Sequence, residues 1–257
     1  MKNAIITGAS SGIGAELARK LTQRGWAVAL LARRIDLLRE LASELRGSVA
    51  IECDVASSDS VHAAIREGER ALGGSFDLAI ANAGVGIPSH ATKFNLADAE
   101  QMIRVNVLGM MYLFDAVIPS MIERRSGRFV GIASVAGLRG LPTSSVYSAS
   151  KAAMQAFLES SRVELAPYDV GVTIVNPGFI ATPMTEKNKF KMPFLMKPEE
   201  AASVIADGIE RGKRVVEFPR PMSMLMRTVR MLPDAIFDRV MIPAGARRKI
   251  DPSKVKR

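Results

Sequence analysis

Short apolar runs rich in β-branched residues recur along the chain. Ala4–Thr7, Ala27–Leu31, Val49–Glu52, Leu78–Ala81, Phe129–Ala133 and Val172–Val175 are six of them, and Arg214–Phe218 is a seventh. Each has the length of a strand and little alternation, the pattern of a strand covered on both faces. The segments between them carry the helical period instead, as in Ala15–Arg24, Leu37–Leu45 and Pro198–Arg211. Strands alternating with helices predict a doubly wound α/β fold, a central parallel sheet of about seven strands with helices on both faces. Without an internal repeat or a low-complexity linker, residues 1–218 predict one domain and residues 219–257 a C-terminal extension.

Two stretches carry chemistry. The first is TGASSGIG, Thr7 to Gly14, between the first strand and the first helix. Gly8, Gly12 and Gly14 allow a tight turn and a close backbone approach, and Ser10, Ser11 and Ile13 complete the loop. The helix start adds N–H groups and a positive dipole end, so the loop suits the pyrophosphate of a dinucleotide. The second is SVYSASK, Ser145 to Lys151. Tyr147 and Lys151 are one helical turn apart and share a helix face. An ammonium beside a phenol favours the phenolate, which predicts a Tyr147 pKa below the ordinary value of about 10 and a proton donor or acceptor near neutral pH.

With both stretches in place, the chain resembles the short-chain dehydrogenase/reductase family, in its single-domain branch. Thr7–Gly14 matches that family's TGxxxGxG motif, and Tyr147 and Lys151 its YxxxK motif. Asp54 after the third strand, Asn82-Ala83-Gly84 after the fourth, Asn106, Ser134 and Pro177-Gly178 follow in the family's order, so the likeness spans residues 3 to about 185. It implies a Rossmann fold and a dinucleotide cofactor. It also implies roles. Ser134, Tyr147, Lys151 and Asn106 become the catalytic set, with Tyr147 as acid, Ser134 bonding the substrate oxygen, Lys151 holding the nicotinamide ribose, and Asn106 holding a water that links Lys151 to solvent. Asp54 and Val55 would read the adenine. Asn82, Ala83 and Gly84 would line the ribose side, with fixing a loop an equal role for Asn82. Pro177, Gly178, Ile180 and Thr182 would border the nicotinamide. The helix after Lys151, rich in small residues, would form a homodimer or homotetramer contact.

The second strand ends in Arg33 and Arg34, where an acidic residue would meet an adenosine ribose in NAD-preferring folds. Guanidinium groups suit a 2′-phosphate, which predicts NADP(H), with Arg33 the closer contact. The structural alternative is a pair of solvated charges at a helix start. After Thr182 comes Pro183–Lys197, with Met184, Phe190, Met192, Phe194, Leu195 and Met196, in the place of the family's substrate lid. Its apolar content points to a hydrophobic, lipid-like or cyclic carbonyl or alcohol substrate.

Charge and composition sharpen this. The net charge is +9, yet 13 Lys/Arg against 4 Asp/Glu lie between Arg211 and Arg257, so that segment carries the whole excess. A body without net charge argues against a nucleic-acid surface. Met222, Leu225, Met226, Val229 and Leu232 form a helical stripe beside Arg227 and Arg230, and Ile236, Phe237, Val240 and Met241 follow Pro233. Such a basic amphipathic stretch fits three arrangements: contact with an anionic membrane surface, a roof or oligomer contact near the site, or plain packing. The final ARRKIDPSKVKR reads as polar and mobile. One cysteine, Cys53, excludes an internal disulfide, no Cys/His cluster suggests a metal, and neither a signal peptide nor a membrane-spanning apolar run is apparent; a reducing cytoplasm is the expected compartment, with peripheral membrane contact open.

The expected activity is therefore NADP(H)-dependent hydride transfer between a carbonyl and an alcohol. A 3-oxoacyl-carrier-protein reductase is the alternative within the class. A non-catalytic NADP(H)-binding regulator is the alternative outside it.

Overall fold

β1 (Lys2–Thr7) is buried along all but its first residue. β2 (Trp26–Ala32) and β3 (Ser48–Glu52) stack on one side of it. β4 (Leu78–Ala81), β5 (Gly127–Ile132), β6 (Val170–Pro177) and β7 (Val215–Phe218) follow on the other, every pair parallel. The strand order is β3-β2-β1-β4-β5-β6-β7. The computed structural model describes residues 2–246 apart from 187, 189 and 190, with side chains up to Ile242. Phe190 and the terminal residues 247–257 lie outside the described residues.

The strands read as unbroken apolar runs because each face meets a different core. Ile6 and Leu30 join a cluster with Leu17 and Leu21 of α1 (Gly12–Gln23), Leu38 of α2 (Ile35–Glu44) and Ile205 of α7 (Pro198–Glu210). Their neighbours Ile5 and Leu31 join the opposite cluster. There they meet Val61 of α3 (Ser58–Leu72), Leu113 of α5 (Gly109–Glu123) and Leu158 of α6 (Ser145–Leu165). This is the doubly wound architecture expected from the alternation of periods.

Helix ends follow local chemistry. Ser57 caps α3 by accepting from Ser60 N, and Gly73 ends it in the left-handed region at φ 71°. Asn95 caps α4 (Leu96–Ile103) through Ala97 N. α1 begins at Gly12, three residues before its apolar periodicity, because the glycine loop itself supplies the first turn. α4 runs into α5 through a π turn at Arg104–Leu108, which carries Asn106. By length and hydropathy the continuous Leu96–Glu123 helix could cross a membrane, which the sequence did not make apparent. In this fold it lies along the sheet, with Met110, Leu113, Val117 and Met121 in the core.

After β7 the chain adds α8 (Arg220–Met231) and α9 (Asp234–Ala246). Met222 and Met226 of α8 turn inward onto Val135, Leu138, Leu141 and Phe179. Arg139 ties the corner down. Its guanidinium donates to Arg230 O, pairs with Asp234 and lies 4.5 Å from the Phe237 ring centroid.

Candidate active site

β1 sends the chain to β2 on one side, while β4 flanks it on the other. That topological switch opens a crevice at the carboxyl ends of the strands, where doubly wound sheets bind ligands. A cavity of about 540 Å³ occupies it. All the catalytic and cofactor-binding residues expected from the sequence line this cavity except Gly14 and Asn106; of the described apolar residues of the lid stretch only Met184 does.

The glycine loop forms one wall. Gly8 and Gly12 hold φ of 67° and 58°, in the region that favours glycine. A Cβ at Gly8 would stand 2.7 Å from Ala83 Cα, and one at Gly14 2.4 Å from Gly8 O. Gly14 thus serves packing behind the loop rather than the cavity wall. Asn82 Nδ2 donates to Thr7 O at 2.9 Å and Gly8 O at 3.1 Å, so its side chain fixes the loop. Thr7 Oγ1 in turn accepts from Asn82 N and Ala83 N, both at 3.1 Å. Thr7 is a supporting residue that the sequence reading passed over, although it is the first letter of the motif.

At the far end, Arg33 and Arg34 are exposed and border the cavity with Asp54 and Val55. Arg34 Nη2 donates to Ser10 Oγ and Ser11 Oγ, each at 2.9 Å. The arginine ranked second from the sequence is therefore the one anchored on the glycine loop. Asp54 Oδ1 accepts from Ala56 N at 3.0 Å and holds its own turn.

The opposite end gathers Ser134, Tyr147 and Lys151. Ser134 follows β5, its Oγ accepting from Ala136 N at 3.1 Å and donating to Pro177 O at 3.4 Å. Tyr147 and Lys151 share a face of α6, with Lys151 Nζ 5.8 Å from the phenol ring centroid. Lys151 is buried, and its Nζ donates to Ile132 O at 2.8 Å and lies 3.4 Å from Met154 Sδ. Among the described residues no carboxylate pairs with it, and burial drags its pKa from 10.5 down to about 7. Burial also raises the Tyr147 phenol above its ordinary value, against the opposing pull of a hydrogen bond with Ser134.

That corrects one expectation: the ammonium was to lower the tyrosine. Desolvation wins because it acts on both groups, raising the phenol while discharging the amine that was to stabilise the phenolate. Asn106 has a structural task as well. Fully buried, its Oδ1 accepts from Val85 N at 2.8 Å and its Nδ2 donates to Val85 O and Ser150 Oγ, both at 3.0 Å. These bonds commit both side-chain amide protons, so the side chain clamps the Gly84-Val85 segment against α6. A Cβ on Gly84 would meet Asn106 Oδ1 at 3.3 Å and Lys151 Nζ at 3.6 Å, which explains the glycine there.

Val85, Gly86, Ile87, Gln101, Val105 and Met184 line the same cavity. Gly86 faces the phenol, its open position lying 3.6 Å from Tyr147 Cδ2 and 3.4 Å from Met184 Sδ. None of these except Met184 was singled out from the sequence. They sit in a loop and a helix whose apolar letters look like core.

The chain matches the family model described as short chain dehydrogenase over residues 2–192. An "Uncharacterized oxidoreductase" of Myxococcus xanthus is 39% identical over 251 residues, 96% of this chain and 97% of that protein. Among solved structures, 3-ketoacyl-(acyl-carrier-protein) reductase from Brucella melitensis complexed with NADH superposes with a TM-score of 0.81 at 25% identity, covering 86% of this chain and 98% of that one. An alcohol dehydrogenase from the archaeon Thermococcus sibiricus complexed with 5-hydroxy-NADP gives a TM-score of 0.77 at 29% identity, covering 85% and 95%. The chain belongs to the short-chain dehydrogenase/reductase family and is an oxidoreductase of that family.

Proposed function

We propose that the protein is an NADP(H)-dependent reductase of neutral, hydrophobic ketones. The observation that carries this is one cavity with two arginines at one end and Ser134, Tyr147 and Lys151 at the other. The crevice suits a dinucleotide because close packing at Gly8 and Gly14 holds the glycine loop, with the start of α1, as one of its walls. The guanidinium groups of Arg33 and Arg34 would attract a 2′-phosphate, which a carboxylate there would repel. The two solved neighbours hold NADH in one case and 5-hydroxy-NADP in the other, so the preference rests on these arginines.

The nicotinamide supplies the hydride. The rest falls to this chain. Ser134 Oγ and the Tyr147 phenol converge on the carbonyl oxygen and stabilise the charge that develops there. A phenol raised by burial stays protonated at neutral pH, which suits an acid. An alkoxide is a far stronger base than a phenolate, so the proton still passes downhill. Lys151, next to both, would bond the ribose hydroxyls.

The apolar wall of Val85, Ile87, Val105 and Met184 favours an uncharged substrate, because it offers no cation to a carboxylate or phosphate. The alternative of a 3-oxoacyl-carrier-protein reductase is favoured by the Brucella neighbour, whose name states that activity. Exposed Ala152, Ala153 and Ala156 on α6 support self-association through that helix. Met224 and Leu225, exposed on α8 beside exposed Arg220 and Arg230, support contact with an anionic surface.

The test is NADPH oxidation against methyl ketones of rising chain length and cyclic ketones of rising ring size. Rates climbing with apolar size support the assignment. Turnover confined to acyl-carrier-protein thioesters would move it to the alternative, and tight NADPH binding without turnover in either direction would point to a binding protein.

A further inference from the structure

The sheet ladder between β5 and β6 ends near the active site, and a side chain continues it. The register runs to Ile132 opposite Val175, with Ala133 N still donating to Val175 O at 2.8 Å. One residue further, Gln155 Nε2 donates to Ser134 O and to Asn176 Oδ1, each at 2.8 Å. Gln155 stands one turn beyond Lys151 on α6. Its amide therefore joins the end of β5, which holds the serine, to the end of β6, which leads into Pro177-Gly178.

The chain of bonds goes on. Asn176, 3% exposed, donates from Nδ2 to Glu217 Oε1 at 3.1 Å, and Arg227 Nε of α8 donates to Glu217 Oε2 at 2.9 Å. Its direction is dictated by the chemistry of its ends. A backbone carbonyl at Ser134 and a carboxylate at Glu217 only accept, so both amides between them are forced into one orientation. The serine turn is also pressed tight here. A Cβ at Gly137 would lie 2.9 Å from Gln155 Nε2 and 2.7 Å from Lys151 C.

We propose that Gln155 is a positioning residue for Ser134, and that the chain through Asn176 and Glu217 to Arg227 makes α8 part of the active-site scaffold. The proposal rests on the reductase assignment above. Gln155 touches neither reacting atom; it acts by holding the serine carbonyl and the β6 end in fixed relation. An ångström of misplacement costs about 10²-fold in rate.

The experiment compares wild type, Gln155→Met, Gln155→Glu, Arg227→Met and the Gln155→Met/Arg227→Met double variant. Rates are normalised to NADPH-binding sites, so a fraction lost to misfolding drops out. The Gln155 variants should lose roughly 10–100-fold in kcat, with the Kd for NADPH within about threefold of wild type. Arg227→Met should lose about threefold, and the double variant should be no slower than Gln155→Met alone. A Gln155→Met enzyme with wild-type kcat per site overturns the positioning role. A wild-type rate in Arg227→Met, or a fully multiplicative double variant, overturns the link to α8. The nicotinamide emission of bound NADPH is read in parallel and needs no substrate. A changed emission in Gln155→Met supports the proposal even if no ketone is turned over, and an unchanged emission in that case overturns it.

Discussion

Replacing Lys151 by Met should change how stability depends on pH, because the amine is buried without a carboxylate. In the folded chain it loses its proton near pH 7, in the unfolded chain near 10.5. Between those values the unfolded state binds more protons than the native state, so this residue makes stability rise with pH. Each pH unit well inside the window is worth about 1.4 kcal/mol. From pH 7 to 9 the amine is still half protonated at the start, which leaves about 2 kcal/mol. Every other titrating group is common to wild type and Lys151→Met, so the difference between them isolates this one. The assay is urea unfolding of both proteins without nucleotide at pH 7 and pH 9. The wild-type stability minus that of the variant should increase by about 2 kcal/mol on going to pH 9. An unchanged difference would show that Lys151 keeps its proton in the folded state and would remove the argument that desolvation dominates this site.

Three further outcomes follow from the geometry. Arg33→Asp should weaken NADPH relative to NADH by at least about tenfold in fluorescence titration, since a carboxylate would repel a 2′-phosphate; an unchanged ratio places the phosphate elsewhere. Gly14→Ala puts a methyl against Gly8 O and Asn82 Nδ2, so it should cost about 1–3 kcal/mol by denaturant unfolding and weaken nucleotide binding; a neutral effect would mean the loop is softer than its contacts suggest. Met224→Asp should reduce co-sedimentation with phosphatidylglycerol vesicles at low salt while leaving soluble-substrate turnover intact; equal recovery of variant and wild type would deny α8 a membrane role.

The architecture was legible because its signals are local. A strand buried on both faces writes itself as an apolar run, and the glycine loop needs its residues consecutive. The cavity's chemistry was legible where a motif fixes spacing, as with Tyr147 and Lys151. What was not legible depends on chain segments meeting. The direction of the tyrosine shift turns on burial, which a four-residue spacing does not encode. The clamp that Asn106 makes on Val85 and Ser150 likewise exists only once those segments meet. Gln155 is one polar letter on a helix, and only the approach of Ser134 and Asn176 gives it a task. The inward face of α8 was written in Met222 and Met226, but its partners lie more than 40 residues earlier in the chain, on and just beyond the serine turn and at Phe179.

The central claim is that this site passes hydride from a nicotinamide to a carbonyl carbon with Tyr147 as the proton donor. The most direct measurement uses NADPH carrying deuterium at both C4 positions, with 2-decanone as the ketone and mass spectrometry of the product. Wild type should form 2-decanol one mass unit heavier, with the label on the carbinol carbon, and Tyr147→Phe should bind the nucleotide yet form at least about 10²-fold less. Unlabelled alcohol, or labelled alcohol formed equally fast by Tyr147→Phe, would contradict the account.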